Sequence, residues 1–264
     1  MMKPILKWAG SKKKLLPEII KRIPKEFSTY VEPFFGSGAV FFALRPSRAF
    51  LSDYNGELIS FYKTLRDFSK ELIEELRTYE NTKEYFDHIR SLDRDLSYKG
   101  LSDIKKAARF LYLNKTCFNG LYRVNSKGHF NVPFGKYINP SILNEPLLEE
   151  VSTFLGSSYY IFNQRDFRSA LKDIPKDSFV YLDPPYDGTF TEYTKKSFGK
   201  KDQEDLRDCC IELDRQGIKF LLSNSNTEFI KELYKDFIIE EIKTTYAINH
   251  NKEASEVLIR NYEI

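Results

Sequence analysis

The chain has 264 residues, 41% hydrophobic and 30% charged, enough to bury a core without disulfide or metal staples. Its net charge of +3 excludes a basic field over the whole surface, so polyanion binding has to come from local patches. Three cysteines, an odd count with no CxxC pair, argue against a disulfide framework, three distant histidines offer no metal-ligand spacing, and no apolar run nears the length of a membrane span.

The candidate basic patches are Lys12 to Lys14, Arg123 to Lys136 and Lys195 to Lys201, each of which also suits a plain solvated face. The start, MMKPILKWAG, is too short and polar for a signal peptide, and the odd cysteine count fits a reducing compartment, so a cytoplasmic protein is expected. Aromatic residues make up 15%, which leaves rings for stacking as well as packing.

In chain order, a basic amphipathic helix is expected from Lys12 to Arg22, closed by Pro24. TYVEPF reads as a strand running into the glycine turn FGSG. A helix opens at Ala39 and stops at Pro46, and AFLSD is a second strand ending in Asp53. Strand, glycine turn, helix and strand make half of a nucleotide-binding arrangement. From residue 57 to about 113, apolar positions recur at spacings of three and four, as at Leu72, Ile73, Leu76 and Tyr79, which predicts helices. IKKAARFLYLNK, residues 104 to 115, is the last of them, and Asn119-Gly120 breaks it.

CFNGLYRVNSKGHFNVPFGKY then sets turn residues around short extended runs, and VNSKGHFNV predicts a hairpin. Strand and helix alternate again from about 159. YYIFNQRDF and SFVYLDPPY are strands, Asp202 to Arg215 is a helix, and KFLLSNS is a strand. FIIEEIKTTYAI and SEVLIRNY form a closing antiparallel pair. The expected architecture is a mostly parallel α/β sheet from residues 1–56 and 157–264, interrupted at 57–156 by a helical and hairpin insertion. Insertions leave such sheets at strand C-terminal ends, where ligands bind, so this one is placed to recognise a substrate.

Four stretches carry candidate chemistry. In VEPFFGSGAV, Gly36 and Gly38 allow a tight turn and close approach to a ligand, but Phe41 stands where a GxGxxG fingerprint needs its third glycine. A nucleoside without a pyrophosphate fits better than a dinucleotide. Asp53, at the next strand end, suits two ribose hydroxyls and equally a helix cap. Asp166, after the following strand, could accept from an adenine amino group while the Phe167 N–H meets a ring nitrogen, or could simply cap the next helix. KWAGSKK holds the only tryptophan; a core ring is the plain reading of Trp8, but beside Gly10 and four lysines a ring over a small ligand, with Lys12 reaching a carboxylate, fits better.

SFVYLDPPYDG is the most specific of these stretches. Asp183 ends an apolar strand, and Pro184 and Pro185 fix the backbone and donate nothing. The corner offers the Asp183 carboxylate and the Pro184 carbonyl as acceptors and Tyr186 as a flat face. A planar group with an exocyclic NH2 satisfies all three.

KWAGSKK, VEPFFGSG, LSDYN, NQRDF and LDPPY occur in that order, with FNGLYRVNSKGHFNVPFGKY between the third and fourth. In these the chain resembles the Dam-type DNA adenine-N6 methyltransferases over essentially its whole length. DPPY is shared with other amino-group methylases, and the insertion motif is the more specific. The resemblance implies a Rossmann-like methyltransferase sheet with an inserted DNA-recognition domain and S-adenosylmethionine as cofactor. It implies donor binding by Trp8, Lys12, Phe35, Gly36, Gly38, Asp53, Asp166, Phe167 and Asp183, and catalysis by Asp183, Pro184, Pro185 and Tyr186. It assigns Phe118 to wedge into the duplex, with Asn119 beside it. Leu121, Arg123 and Pro133 are implied to read bases, Lys7 to contact a guanine, and Lys136 and Tyr137 to contact the backbone. The implied target is the adenine of GATC in double-stranded DNA. No metal is expected, a monomer is the default expectation, and a cognate restriction endonuclease is one candidate functional partner beside a genome-marking or phage role. One departure is AINHNKEASE, residues 247 to 256, where the family's basic loop is short and keeps only Lys252.

A base within a duplex cannot reach such a corner without flipping out. The same corner would also suit RNA adenine or a protein glutamine, and a catalytically silent DNA-binding module is the non-enzymatic alternative. The intact Asp183-Pro184-Pro185-Tyr186 corner speaks against that last reading.

Overall fold

The computed structural model describes residues 2–188, 198–244 and 254–264. In chain order its regular elements are α1 (Leu16–Arg22), β1 (Thr29–Glu32), α2 (Ala39–Leu44), β2 (Arg48–Asp53), α3 (Gly56–Asp67), α4 (Ser69–Arg77), α5 (Lys83–Ser91), α6 (Asp103–Thr116), α7 (Glu145–Gly156), β3 (Tyr159–Gln164), α8 (Phe167–Ala170), β4 (Ser178–Leu182), α9 (Lys200–Arg215), β5 (Lys219–Ser225), α10 (Glu228–Leu233), β6 (Ile238–Thr244) and β7 (Ala254–Arg260). Packing divides the described residues into two units, one of residues 2–11 and 55–164, the other of the remainder. The first eleven residues thus group with the helical segment, and the divisions fall at 54/55 and 164/165.

Six of the seven sheet strands belong to the second unit, in the order β2-β1-β4-β5-β7-β6. β2, β1, β4 and β5 run parallel, and β7 is antiparallel to both β5 and β6. This is the expected mostly parallel Rossmann-like sheet with an antiparallel C-terminal edge. β1 and β4 are buried at every position, which is why TYVE and SFVYL read as unbroken runs rather than alternating ones. The register Val180↔Phe220 and Leu182↔Leu222 sets one face of β4 and β5 against Leu206, Cys210 and Leu213 of α9. Those three recur at helical spacing. On β1 and β4, the rings of Tyr30 and Phe179 meet at 6.1 Å, and Phe41 lies 6.5 Å from Tyr30.

Two helix boundaries differ from expectation. α1 starts at Leu16 rather than Lys12, because Pro17 sits in its first turn, where a fixed φ and a missing N–H cost nothing. Residues 12 to 15 form turns instead, closed by the Leu16 N–H on the Lys12 carbonyl at 2.7 Å. α9 starts at Lys200, ahead of Asp202, whose carboxylate turns back to accept the Gly199 N–H at 2.9 Å. The expected continuation of β6 through residues 245–248, the short loop with Lys252, and the patch at 195–197 lie outside the described residues.

The first unit holds α3 to α7 and β3. The long periodic stretch is cut into separate helices by side-chain caps, with Asn55 opening α3, Thr82 opening α5 and Ser102 opening α6. Phe86, Ile89, Tyr112, Leu113, Cys117, Phe130 and Val132 form its core, and the last three come from the segment around the hairpin. The hairpin forms as predicted, with Val124 bridging Phe130 and the Asn125 N–H on the His129 carbonyl at 2.9 Å. Among the described residues, no helix is long and apolar enough to cross a membrane.

Arg109 of α6 is 1% exposed and ties this unit together. Its guanidinium pairs with Asp93 at 2.7 Å and with Glu57 at 3.7 Å, and donates to the Ile89 and Arg90 carbonyls. Asp93 in turn accepts the Phe130 N–H at 2.7 Å, so the cation anchors the hairpin through one carboxylate. Arg109→Ala strands the buried Asp93 carboxylate and is expected to destabilise the protein by about 3–5 kcal/mol, read as a shift in urea unfolding.

Candidate active site

Because β1, β2, β4 and β5 are parallel, their C-terminal ends share one edge of the sheet. After β1 the chain turns through Gly36 and Gly38, with φ of 49° and 68°. The Gly38 N–H donates to the Phe35 carbonyl at 2.7 Å, and a Cβ at Gly38 would stand 2.6 Å from the Phe35 ring. Asp53, closing β2, accepts the Gly36 N–H on Oδ2 at 2.9 Å. The carboxylate thus braces the glycine turn from the neighbouring strand.

Asp183 follows β4 directly. Lys12 Nζ lies 2.8 Å from its Oδ1, and the Ser223 hydroxyl of β5 donates to the same atom at 3.0 Å. Among the described residues, no hydrogen bond falls on Oδ2. Lys12, expected to reach a carboxylate of a bound ligand, is paired here with the protein's own Asp183. The same Nζ stands 4.4 Å above the centre of the Tyr186 ring. Burial pushes the Asp183 carboxyl up from the ordinary carboxylate value, and the Lys12 charge with the Lys12 and Ser223 hydrogen bonds pulls it back. Tyr186 donates its hydroxyl to Glu256 of β7. Burial, then the charges of Asp183 and Glu256, keeps that phenol protonated.

Glu32, at the end of β1, is buried and accepts the Tyr30 hydroxyl at 2.9 Å. Burial pushes its carboxyl well above the ordinary range, against the Tyr30 bond, and the Asp183 and Asp53 charges push the same way. The shift favours the neutral form, which would add no negative charge beside those two carboxylates.

Asp166 caps α8, accepting the Arg168 N–H at 2.9 Å, and pairs with the Arg168 guanidinium at 3.0 Å. Arg168 also reaches Asp202 and Asp205 of α9. Phe167 is buried and stacks on Phe34 at 5.4 Å. Trp8 belongs to the other unit, where its ring stacks on Tyr122 at 5.9 Å and leans on Phe110 at 6.3 Å. The second unit thus gathers Lys12, Phe35, Gly36, Gly38, Asp53, Asp166, Phe167 and the Asp183 to Tyr186 corner, while Trp8 packs within the first unit.

The first unit gathers the other candidates. Phe118, Asn119 and Gly120 form a single 3₁₀ turn after α6, with Phe118 51% exposed and Asn119 left-handed at φ 54°. The Phe118 N–H donates to the Pro133 carbonyl at 2.9 Å, joining both ends of the motif. Arg123 is exposed, and its Nε donates to Asn131 across the hairpin at 2.8 Å. Leu121 is half-buried, while Pro133 and Lys136 are exposed or partly so. Lys7 lies over the Tyr137 ring at 4.2 Å, and its stem fills the space a side chain at Gly120 would need.

Sequence reasoning did not find what holds these groups. Asn114 is buried, accepts the Lys7 N–H at 2.9 Å, and donates to the Lys7 and Gly120 carbonyls at 2.7 and 3.2 Å. Ser223, Glu256 and Glu32 were missed as well. The one available signal was a polar side chain inside an apolar run, as in KFLLSNS or SEVLIR. Among the described residues, no group of three or more His, Cys, Asp or Glu side chains could hold a metal ion.

An acidic strand end, locked by two prolines beside a tyrosine face on a Rossmann-like sheet, is the construction of an amino-group methyltransferase. Residues 8–248 match the family model described as D12 class N6 adenine-specific DNA methyltransferase, and the chain belongs to that family. It is 42% identical to the type II methyltransferase M1.LlaDCHI of Lactococcus lactis subsp. cremoris, over 99% of this chain and 96% of that one. Identity to the type II methyltransferase M.MjaIII of Methanocaldococcus jannaschii is 38%, covering 99% of each. The DNA adenine methylase of Haemophilus influenzae is 33% identical, over 95% of this chain and 89% of its own.

Lys12 opposes the effect of burial on Asp183, so its removal leaves burial less opposed. In Lys12→Met the Asp183 carboxyl is expected to titrate at higher pH than in the unaltered protein, followed by carbon-13 NMR of the side chain. An unchanged or lower midpoint would show that the pair does not hold Asp183 ionised.

Proposed function

We propose that this member of the adenine-specific DNA methyltransferases transfers a methyl group from S-adenosylmethionine to N6 of an adenine turned out of duplex DNA, with GATC as its target. The observation that carries this reading is the Asp183 carboxylate, which among the described residues takes its two hydrogen bonds on Oδ1, next to two prolines that donate nothing. Oδ2 and the Pro184 carbonyl then stand as acceptors for the two hydrogens of one amino group, and Tyr186 supplies the stacking face.

The residues on the sheet edge fit the donor. Asp53 offers carboxylate oxygens to ribose hydroxyls at a strand end. Phe167 opens α8, so its N–H has no acceptor within the helix and suits an adenine ring nitrogen, with Asp166 beside it for the amino group. When bound, S-adenosylmethionine supplies an electrophilic methyl group. The protein's part is to hold the amine. The adenine amino lone pair is spread into its ring, and two hydrogen bonds from N6 to Asp183 and Pro184 favour a pyramidal nitrogen. Such alignment supplies up to about 7–11 kcal/mol. The proton lost from N6 leaves on the Asp183 side, where the carboxylate, kept towards its ionised form by Lys12 and Ser223, can accept it.

Turning the base out costs a few kcal/mol, which Tyr186 stacking and Phe118 in the vacated space would offset. The exposure of Phe118 and its position on a turn pinned to Pro133 support that role. With Nε held by Asn131, Arg123 keeps its two terminal nitrogens for a guanine edge, worth about 1–3 kcal/mol of discrimination. On this reading residues 57–156 are the recognition domain, joined by Lys7 and, at the donor, Trp8. Lys136 and Tyr137 take the DNA backbone. The type II names of two relatives support a role beside a restriction endonuclease with the same target. A monomer acting in the cytoplasm completes the proposal.

Labelled donor incubated with duplex DNA, RNA and protein extract should mark only N6-methyladenine in DNA, and GATC duplexes over scrambled ones. Label in RNA or on glutamine would overturn the substrate, and equal labelling of scrambled duplexes the target. Tyr186→Ala should lose transfer while retaining donor binding. Arg123→Ala should relax sequence choice. If only affinity and its salt slope fall, Arg123 contacts phosphate instead.

A further inference from the structure

Residues 183 to 186 lie in no regular element, and two of them are prolines, so the corner cannot fasten itself with backbone donors. Two buried amides on other elements hold it. Gln203 of α9, 2% exposed, donates from Nε2 to the Pro185 carbonyl at 2.9 Å. Its Oε1 accepts Nδ2 of Asn224 on β5 at 3.1 Å. Asn224 is fully buried, and its Oδ1 accepts the Asp187 N–H at 3.2 Å and the Ser225 N–H at 2.8 Å. Each amide fixes the orientation of the other, since a flip of either would set like against like. The loop is thereby gripped at the carbonyl of 185 and the N–H of 187, on either side of Tyr186. Ser225 and Thr227 secure Asp187 again, on its carbonyl at 3.0 Å and its carboxylate at 2.9 Å.

We infer that Gln203 and Asn224 are positioning residues for methyl transfer, setting the Pro184 carbonyl and the Tyr186 ring against Asp183. Both side chains are neutral, so they fix the corner without adding charge beside Asp183. Neither touches the reacting atoms. A displacement of about 1 Å in such a site costs on the order of 100-fold in rate. This inference rests on the corner being the site of transfer.

The test is Gln203→Met, which keeps the length of the side chain and removes its hydrogen bonds, together with Gln203→Glu, which sets an acceptor against the Pro185 carbonyl. Both should lower kcat about 10- to 100-fold while KM for duplex and donor binding by calorimetry stay within about threefold. Asn224→Asp, which keeps the acceptor for Asp187 and loses the donor to Gln203, should fall between them and the unaltered protein. Unchanged kcat in a folded Gln203→Met would overturn the inference. So would a parallel loss of kcat, donor binding and melting temperature, which marks a merely structural role. Asp183→Ala and Tyr186→Ala are measured alongside. If they too retain full transfer, the corner itself is not the site, and the proposed function fails rather than the positioning role alone.

Discussion

A carboxylate that is to accept on both oxygens is best kept ionised, and burial works against that. Asp183, at the end of β4, stands under this constraint. Burial raises its pKa, and Lys12 at 2.8 Å with Ser223 at 3.0 Å holds it down. Much of the local structure follows. Lys12 can reach Asp183 because α1 begins only at Leu16, after Pro17 has set its first turn. The same ammonium sits over the Tyr186 ring, so one cation orders both ends of the corner. Burial raises the Glu32 carboxyl and the Tyr186 phenol as well, which disfavours further negative charge beside Asp183.

The sheet supplies the frame for that charge. Parallel strands bring the glycine turn, Asp53 and Asp183 to one edge, and the neighbours then brace each other. Asp53 holds Gly36, Ser223 holds Asp183, and Gln203 with Asn224 holds the proline loop. Buried polar side chains of this kind are costly when unpaired and rigid when fully paired. Here they replace the backbone ladder that a proline corner cannot join.

The helical unit solves a similar problem with different groups. Its exposed turn and hairpin have few strand partners, so buried side chains secure them from below. Asn114 pairs with Lys7 as a neighbouring strand would, taking its N–H and giving to its carbonyl. Asp93, paired with Arg109, takes the N–H of Phe130. Side chains such as Phe118 and Arg123 can then stand exposed on a fixed backbone.

Much of this was legible in the sequence where the signal is local. The unbroken run SFVYL gave a strand buried on both faces, DPPY gave a rigid corner, and VNSKGHFNV gave a hairpin. Helix spacing marked residues 57 to 113 as helical, although the caps that divide them were not read. The start of α1 was misplaced because the basic run after Gly10 resembles a helix, while Pro17 decides where one can begin. Motif resemblance also named the family that the comparisons then showed. The partners of the buried polar groups were not legible. Lys12 and Asp183, Asn114 and Lys7, and Gln203 and Pro185 are far apart in the chain. By itself the sequence determined the elements and the chemical type of the corner, because those depend on spacing and residue type within one segment. Only the tertiary structure decided which side chain satisfies which, because that choice is made by packing between segments, where a buried donor must find whatever acceptor the fold brings within about 3 Å.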